Sequence, residues 1–164
     1  MKKFIFMVVL ASLFISPVLY LAYSQDQDVN VILKQLEGEL LNLKIPVNDI
    51  NSITPVLRNL LNQGATKGDL TNMILSVTKK GLTAKDLYSC LESASSLVES
   101  GAKVDEAVNV VSQGVDQGLA YGFKGGDLGL IDKVQEAVKQ KKAQLIEEQM
   151  QKASEEGKGQ VSKD

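Results

Sequence analysis

Glycines at positions 64, 81, 101 and 118 divide the middle of the chain into short blocks, and within each block apolar residues recur every three or four positions. That spacing gathers them on one face of a helix with 3.6 residues per turn. The blocks read Ile50, Ile53, Leu57, Leu60 and Leu61 before Gly64; Leu70, Met73, Ile74 and Val77 before Gly81; Leu87, Cys90, Leu91, Ala94, Leu97 and Val98 before Gly101; and Val104, Ala107, Val108, Val111 and Val115 before Gly118. An earlier block, with Val29, Ile32, Leu33, Leu36, Leu40 and Leu43, predicts a helix over about 28–43, stopped at Ile45-Pro46 because the residue before a proline leaves the helical region. No window alternates apolar and polar residues long enough to argue for a strand, so the expected fold is all-α.

The starts of these helices are as legible as the stops. Thr66 is followed three residues later by Asp69, and Thr83 by Asp86, the spacing of a capping box with Asp in place of Glu. The hydroxyl accepts from a free amide of the first turn, and the acid answers the cap amide at the positive end of the helix dipole. Glycine at the far end adopts the left-handed backbone that turns the chain back. Ser95 reads as an exposed helical position.

The four glycines are spaced 17, 20 and 17 apart, so a pair of helices recurs every 37 residues. Residues 45–81 slide onto 82–118 without a gap, superposing Asp49 on Asp86, Ser52 on Ser89, Gly64 on Gly101, Ala65 on Ala102, Asn72 on Asn109 and Gly81 on Gly118. The expectation is a set of short antiparallel helical hairpins, stacked as a helical repeat or as an irregular bundle. The helix at 28–43 and the last helix would cap the open ends. Pro55 would either kink its helix or restart it with Thr54 as the cap. Residues 119–129 read as a loop, and a longer helix then carries Leu130, Ile131, Val134, Val138, Leu145 and Ile146, its stripe interrupted by Lys142 and thinning after Met150. The polar, glycine-containing residues 153–164 read as a disordered tail.

The chain opens with Lys2 and Lys3 and then runs uncharged from Phe4 to Tyr23, a basic segment followed by an apolar one, as export machinery requires. Ala22 and Ser24 supply small residues where a signal peptidase probes, which favours a leader at 1–24 with cleavage before Gln25. An uncleaved membrane anchor is the alternative, since about 20 apolar residues suffice to span a bilayer. The expected organisation is a leader over 1–24, a helical domain over 25–152 and a tail over 153–164, in a periplasmic or secreted location.

Composition narrows the chemistry. With 18 basic and 20 acidic residues the net charge is −2, and losing Lys2 and Lys3 makes the remainder more acidic, which argues against nucleic acid as a partner. There is no His and no Trp, and Cys90 is the sole cysteine. The usual general base and the commonest metal ligand are therefore missing, and no internal disulfide can form. Cys90 lies on an apolar stripe and reads as core. The loop glycines at 122, 125, 126 and 129 lack the spacing of a phosphate-binding loop. Asp116 and Asp127 lack the companions of a calcium site and read as a surface acid and a helix cap. Glu147 with Glu148, Glu155 with Glu156, and the cluster Lys139, Lys141 and Lys142 read as solvated faces. No catalytic, cofactor-binding or metal-binding residue is assigned, and no cofactor is expected.

The run Gly81-Leu82-Thr83-Ala84-Lys85-Asp86-Leu87 resembles exported bacterial short-helix repeat proteins of unknown function, a similarity extending over about 44–120. It implies the helical fold and carries no activity. The function expected is non-enzymatic: binding of another envelope or secreted protein, or structural assembly, with a membrane involved only if the leader is retained. The alternative is a carrier of an apolar small molecule or lipid held between helices.

Overall fold

The computed structural model describes residues 28–159, so the expected leader and its cleavage point lie outside the described residues, as do positions 160–164. The described residues form helices joined by short turns, with no strand among them. The helices are α1 over 28–42, α2 (Val47–Asn62), α3 (Lys67–Lys79), α4 (Ala84–Glu99), α5 (Val104–Ala120) and α6 (Leu128–Gly159).

One device ends each of the first five helices. A residue with positive φ reverses the chain, and the next amide reaches back to a carbonyl in the last turn. Gly64 (φ 97°), Gly81 (75°) and Gly101 (99°) serve in this way, with Ala65 N donating to Leu60 O at 2.9 Å and Ala102 N to Leu97 O at 3.1 Å. At the end of α1 the same place is taken by Lys44 (φ 62°), and Ile45 N donates to Leu40 O at 3.1 Å. The turn therefore precedes Pro46, which serves as the N-cap of α2. Gly118 is not a terminator, contrary to its reading in sequence. It is buried inside α5, which continues to Ala120 and turns at Gly122 (φ 90°). The loop is shorter than expected as a result.

The helix starts follow the sequence closely. Thr66 and Thr83 each accept from the amide three residues on, while Asp69 and Asp86 accept from the cap amides, completing two capping boxes. Pro55 lies within an unbroken α2, with its ring exposed. Thr54 does not restart the helix, because its Oγ1 donates to Ile50 O at 2.9 Å within α2 and to Glu37 Oε1 of α1 at 3.0 Å.

The helices stack in layers, α2 on α4 and α3 on α5, with α6 against both α4 and α5. The core between them holds Ile53, Leu57, Leu70, Met73, Ile74, Leu87, Leu91 and Leu97, all essentially inaccessible, each contributing about 1.5–3 kcal/mol by burial. At the C-terminal turns of α2 and α4, Asn59 donates to Ser95 Oγ at 2.9 Å and to Glu99 Oε1 at 3.0 Å. Ser95 is thus buried in a polar seam, the reverse of the exposure expected for it. α1 covers one end of the stack through Val29, Leu33, Leu36 and Leu40, tied by Thr71 Oγ1 to Glu39 Oε2 at 2.8 Å and by the Lys67–Glu39 ion pair at 3.1 Å. α6 covers the other end.

α5 and α6 run antiparallel at unusually close range. A Cβ placed on Gly114 would lie 2.7 Å from Val134 Cα, and one on Gly118 would lie 3.2 Å from Leu130 Cα, so these two glycines admit the backbone of α6. The loop between them folds onto the α3–α4 turn. Gly125 sits where a Cβ would come 2.8 Å from Leu82 Cα, and Gly126 N donates to Asp86 Oδ2 at 2.8 Å.

Candidate functional site

The buried side chains among the described residues that carry a titratable group are Cys90 and Asp86. Cys90 is fully buried. Burial, and then the nearby Asp86 charge, push its thiol up from 9.0 to about 12, so it is neutral and unreactive near pH 7. Asp86 is also buried, and its Oδ2 accepts from Thr83 N, Thr83 Oγ1 and Gly126 N, bonds that tie the start of α4 to the α5–α6 loop. Among the described residues no group of three or more acidic or sulfur side chains is placed to hold a metal ion. No helix among them is long and apolar enough to cross a membrane.

The charged residues singled out in sequence are dispersed. Asp116 accepts an ion pair from Lys80 at 2.7 Å. Asp127, preceding α6, turns its carboxylate back to accept from Lys124 N at 2.7 Å. Of the three clustered lysines, Lys141 pairs with Glu106 of α5, a bond that raises its pKa. Lys142 donates to Ser96 Oγ of α4 at 2.6 Å, and Lys139 is exposed. The interruption of the α6 stripe at Lys142 is therefore a crossing point, where its amine reaches a hydroxyl on the neighbouring helix. Glu147, Glu148 and Glu155 are exposed.

Two surfaces stand open to solvent. The first is an open cleft of about 510 Å³ at the N-terminal turns of α2 and α4, lined by Asp49, Ser52, Ala84, Lys85 and Tyr88. Tyr88 donates to Glu92 Oε1 at 3.2 Å, and that carboxylate raises the phenol pKa, so the hydroxyl remains protonated at neutral pH. The cleft offers hydrogen bonds and one aromatic edge, with nothing to exclude water.

The second surface is the far half of α6. At 1.5 Å per residue this 32-residue helix is about 48 Å long, twice α4. Its first half is docked by Leu130, Val134 and Val138, and the last buried contact is Leu145. Gln149 lies over the Gly101 turn, 3.3 Å from where a Cβ there would stand. Every residue from Ile146 to Glu155 is exposed, including Ile146 and Met150, one turn apart. In sequence Ile146 reads as a continuation of the core stripe. It falls about 80° out of phase with Val138 at 100° per residue, and that offset is the signal that separates it from Leu145.

Comparison of the chain with protein-family models, with curated proteins and with solved structures finds no match.

Proposed function

We propose that this is an exported helical protein with a non-enzymatic, protein-binding or structural role in the cell envelope, its partner being another envelope or secreted protein. The observation that carries this reading is the projecting half of α6, a helix that leaves Ile146 and Met150 in water beyond its last buried contact. An amphipathic helix offered in this way suits a groove on a protein partner, where side chains one turn apart act as anchors. The carrier alternative needs an enclosed apolar chamber, whereas the cleft beside Asp49 and Tyr88, and those beside Lys34 and beside Lys142, are open and edged by charged side chains. We also read 45–81 and 82–118 as a duplicated hairpin. Support comes from the matching turns at Gly64 and Gly101 and from the layering of α2 on α4 and α3 on α5.

The test is site-specific photo-crosslinking in cells, with the reactive group at Met150 and a control at exposed Gln117. The reading expects one defined heterologous adduct from Met150 and none from Gln117. No adduct, or the same adducts from both positions, would overturn it. The mass of the purified protein tests export separately: a species beginning at Gln25 is expected, and retention of Met1–Ser24 would replace a free envelope protein by an anchored one.

A further inference from the structure

α1 and α6 cap opposite ends of the helix stack, and they finish it differently. α1 carries Val31 and Leu41 on its outer side, both more than half exposed. At 100° per residue Val31, Lys34, Gly38 and Leu41 fall on one stripe, opposite the buried Leu33, Leu36 and Leu40. In the middle of this stripe sits Gly38, inside the helix, where a Cβ would meet nothing within 4 Å. Glycine in a helix interior is destabilising relative to alanine. At Gly114 and Gly118 that cost is offset by the close approach of α6. At Gly38 no neighbour in the described chain uses the space.

We propose that the outer face of α1 is a self-association surface, on which a second copy of this chain packs antiparallel about a two-fold axis level with residue 36. That register sets Val31 against Leu41 of the second copy and lays the aliphatic stem of Lys34 over the notch at Gly38. It also brings Asp28, at the start of one described helix, level with exposed Lys44 at the end of the other, so opposite charges meet at both ends. An isologous contact closes on itself and covers both apolar faces at once. The helix rises only about 21 Å over 28–42, so the contact falls below the roughly 1,200 Å² of a stable interface, and association is expected in the micromolar range. This surface lies on the end of the stack opposite α6, and the proposal is independent of what α6 binds.

Sedimentation equilibrium of the full chain purified from cells reads the association. A monomer–dimer equilibrium is expected, weakened at least about tenfold by Leu41→Glu, a loss of roughly one good contact. Gly38→Ala carries a signature that a merely structural glycine would not give. It should raise the melting midpoint under dilute, monomeric conditions, while weakening the dimer by filling the notch. Gln35→Cys, level with the axis at the edge of the stripe, should be joined to its counterpart by a short bis-maleimide reagent, which spans the gap that a disulfide would not, and Gln113→Cys should not, with buried Cys90 silent in both. A protein monomeric at hundreds of micromolar would overturn the proposal. So would a dimer indifferent to Leu41→Glu, or one strengthened by Gly38→Ala. A dimer lost only in Ile146→Glu would transfer the contact to α6. Should Leu41→Glu lose helix content, Gly38→Ala and the Gln35→Cys crosslink decide.

Discussion

Gly114 and Val134 bring the backbones of α5 and α6 together so closely that a single added carbon at Gly114 would stand 2.7 Å from Val134 Cα. The obstacle is backbone, so neither rotamer change nor side-chain bending relieves it. Gly114→Ala should therefore cost about 1–3 kcal/mol, the range for overpacking. Gly118→Ala, facing Leu130 Cα at 3.2 Å, should cost less. Urea denaturation of the two variants gives the order, and equal or negligible costs would mean that α6 does not sit against these glycines.

The two capping boxes have the same sequence form but different surroundings, and their mutants should differ. Asp69→Ala removes an exposed cap and should cost about 1 kcal/mol. Asp86→Ala also strips the partner from Gly126 N at a buried site and should cost about 2–3 kcal/mol. Thermal melts of the pair measure the difference, which reports the docking of the α5–α6 loop.

Cys90 supplies a pH dependence whose sign follows from its burial. Its folded pKa is about 12 against 9.0 for an ordinary thiol, so the folded state holds the proton more tightly than the unfolded one. The stability it contributes is complete below pH 9 and is lost progressively from there toward pH 12. Urea midpoints of the protein and of Cys90→Ala, compared at pH 8 and pH 10, should show the larger drop in the unmutated chain. Thiol reagents should react slowly with the folded protein and quickly in urea.

The turn residues can be tested in both directions. Gly64→Ala and Gly101→Ala each force a Cβ into the left-handed region and should cost on the order of 1 kcal/mol. Lys44 already bears that strain at φ 62°, so Lys44→Gly should stabilise by a few tenths of a kcal/mol up to about 1 kcal/mol. Ser95→Ala, which removes a buried acceptor from Asn59, should be destabilising. Calorimetric melts of the four variants at one concentration check the set.

What could be read from the sequence, and what could not, divides along local and non-local physics. Thr66, Thr83, Gly64 and Gly101 announce themselves because caps and left-handed turns are decided within a few residues. Gly118 looked the same in sequence, yet its use is set by Leu130 twelve residues later, and only the α5–α6 contact distinguishes a packing glycine from a terminating one. Ser95 is polar on a helix and reads as solvated, because its partner Asn59 lies in another layer. The stop of α1 was read at Ile45-Pro46, but the reversal is made one residue earlier by Lys44 in the left-handed region, closed by the Ile45–Leu40 backbone bond, and nothing in a lysine announces it. Ile146 is legible only by phase. The rest of the candidate surfaces was not legible: exposure of Val31, Leu41 and Met150 depends on which neighbours fail to cover them.

α6 is anchored by its first half and projects beyond the body as an arm. The most direct test of this is the thermal melt of a chain ending at Gln149, which keeps the contact over Gly101 and removes everything beyond. Because Met150 to Glu155 bury nothing, the midpoint should stay within about 2 °C of the full chain, under 1 kcal/mol for a domain of this size. A fall of about 5 °C or more would mean that the distal helix packs on the body and is not an arm.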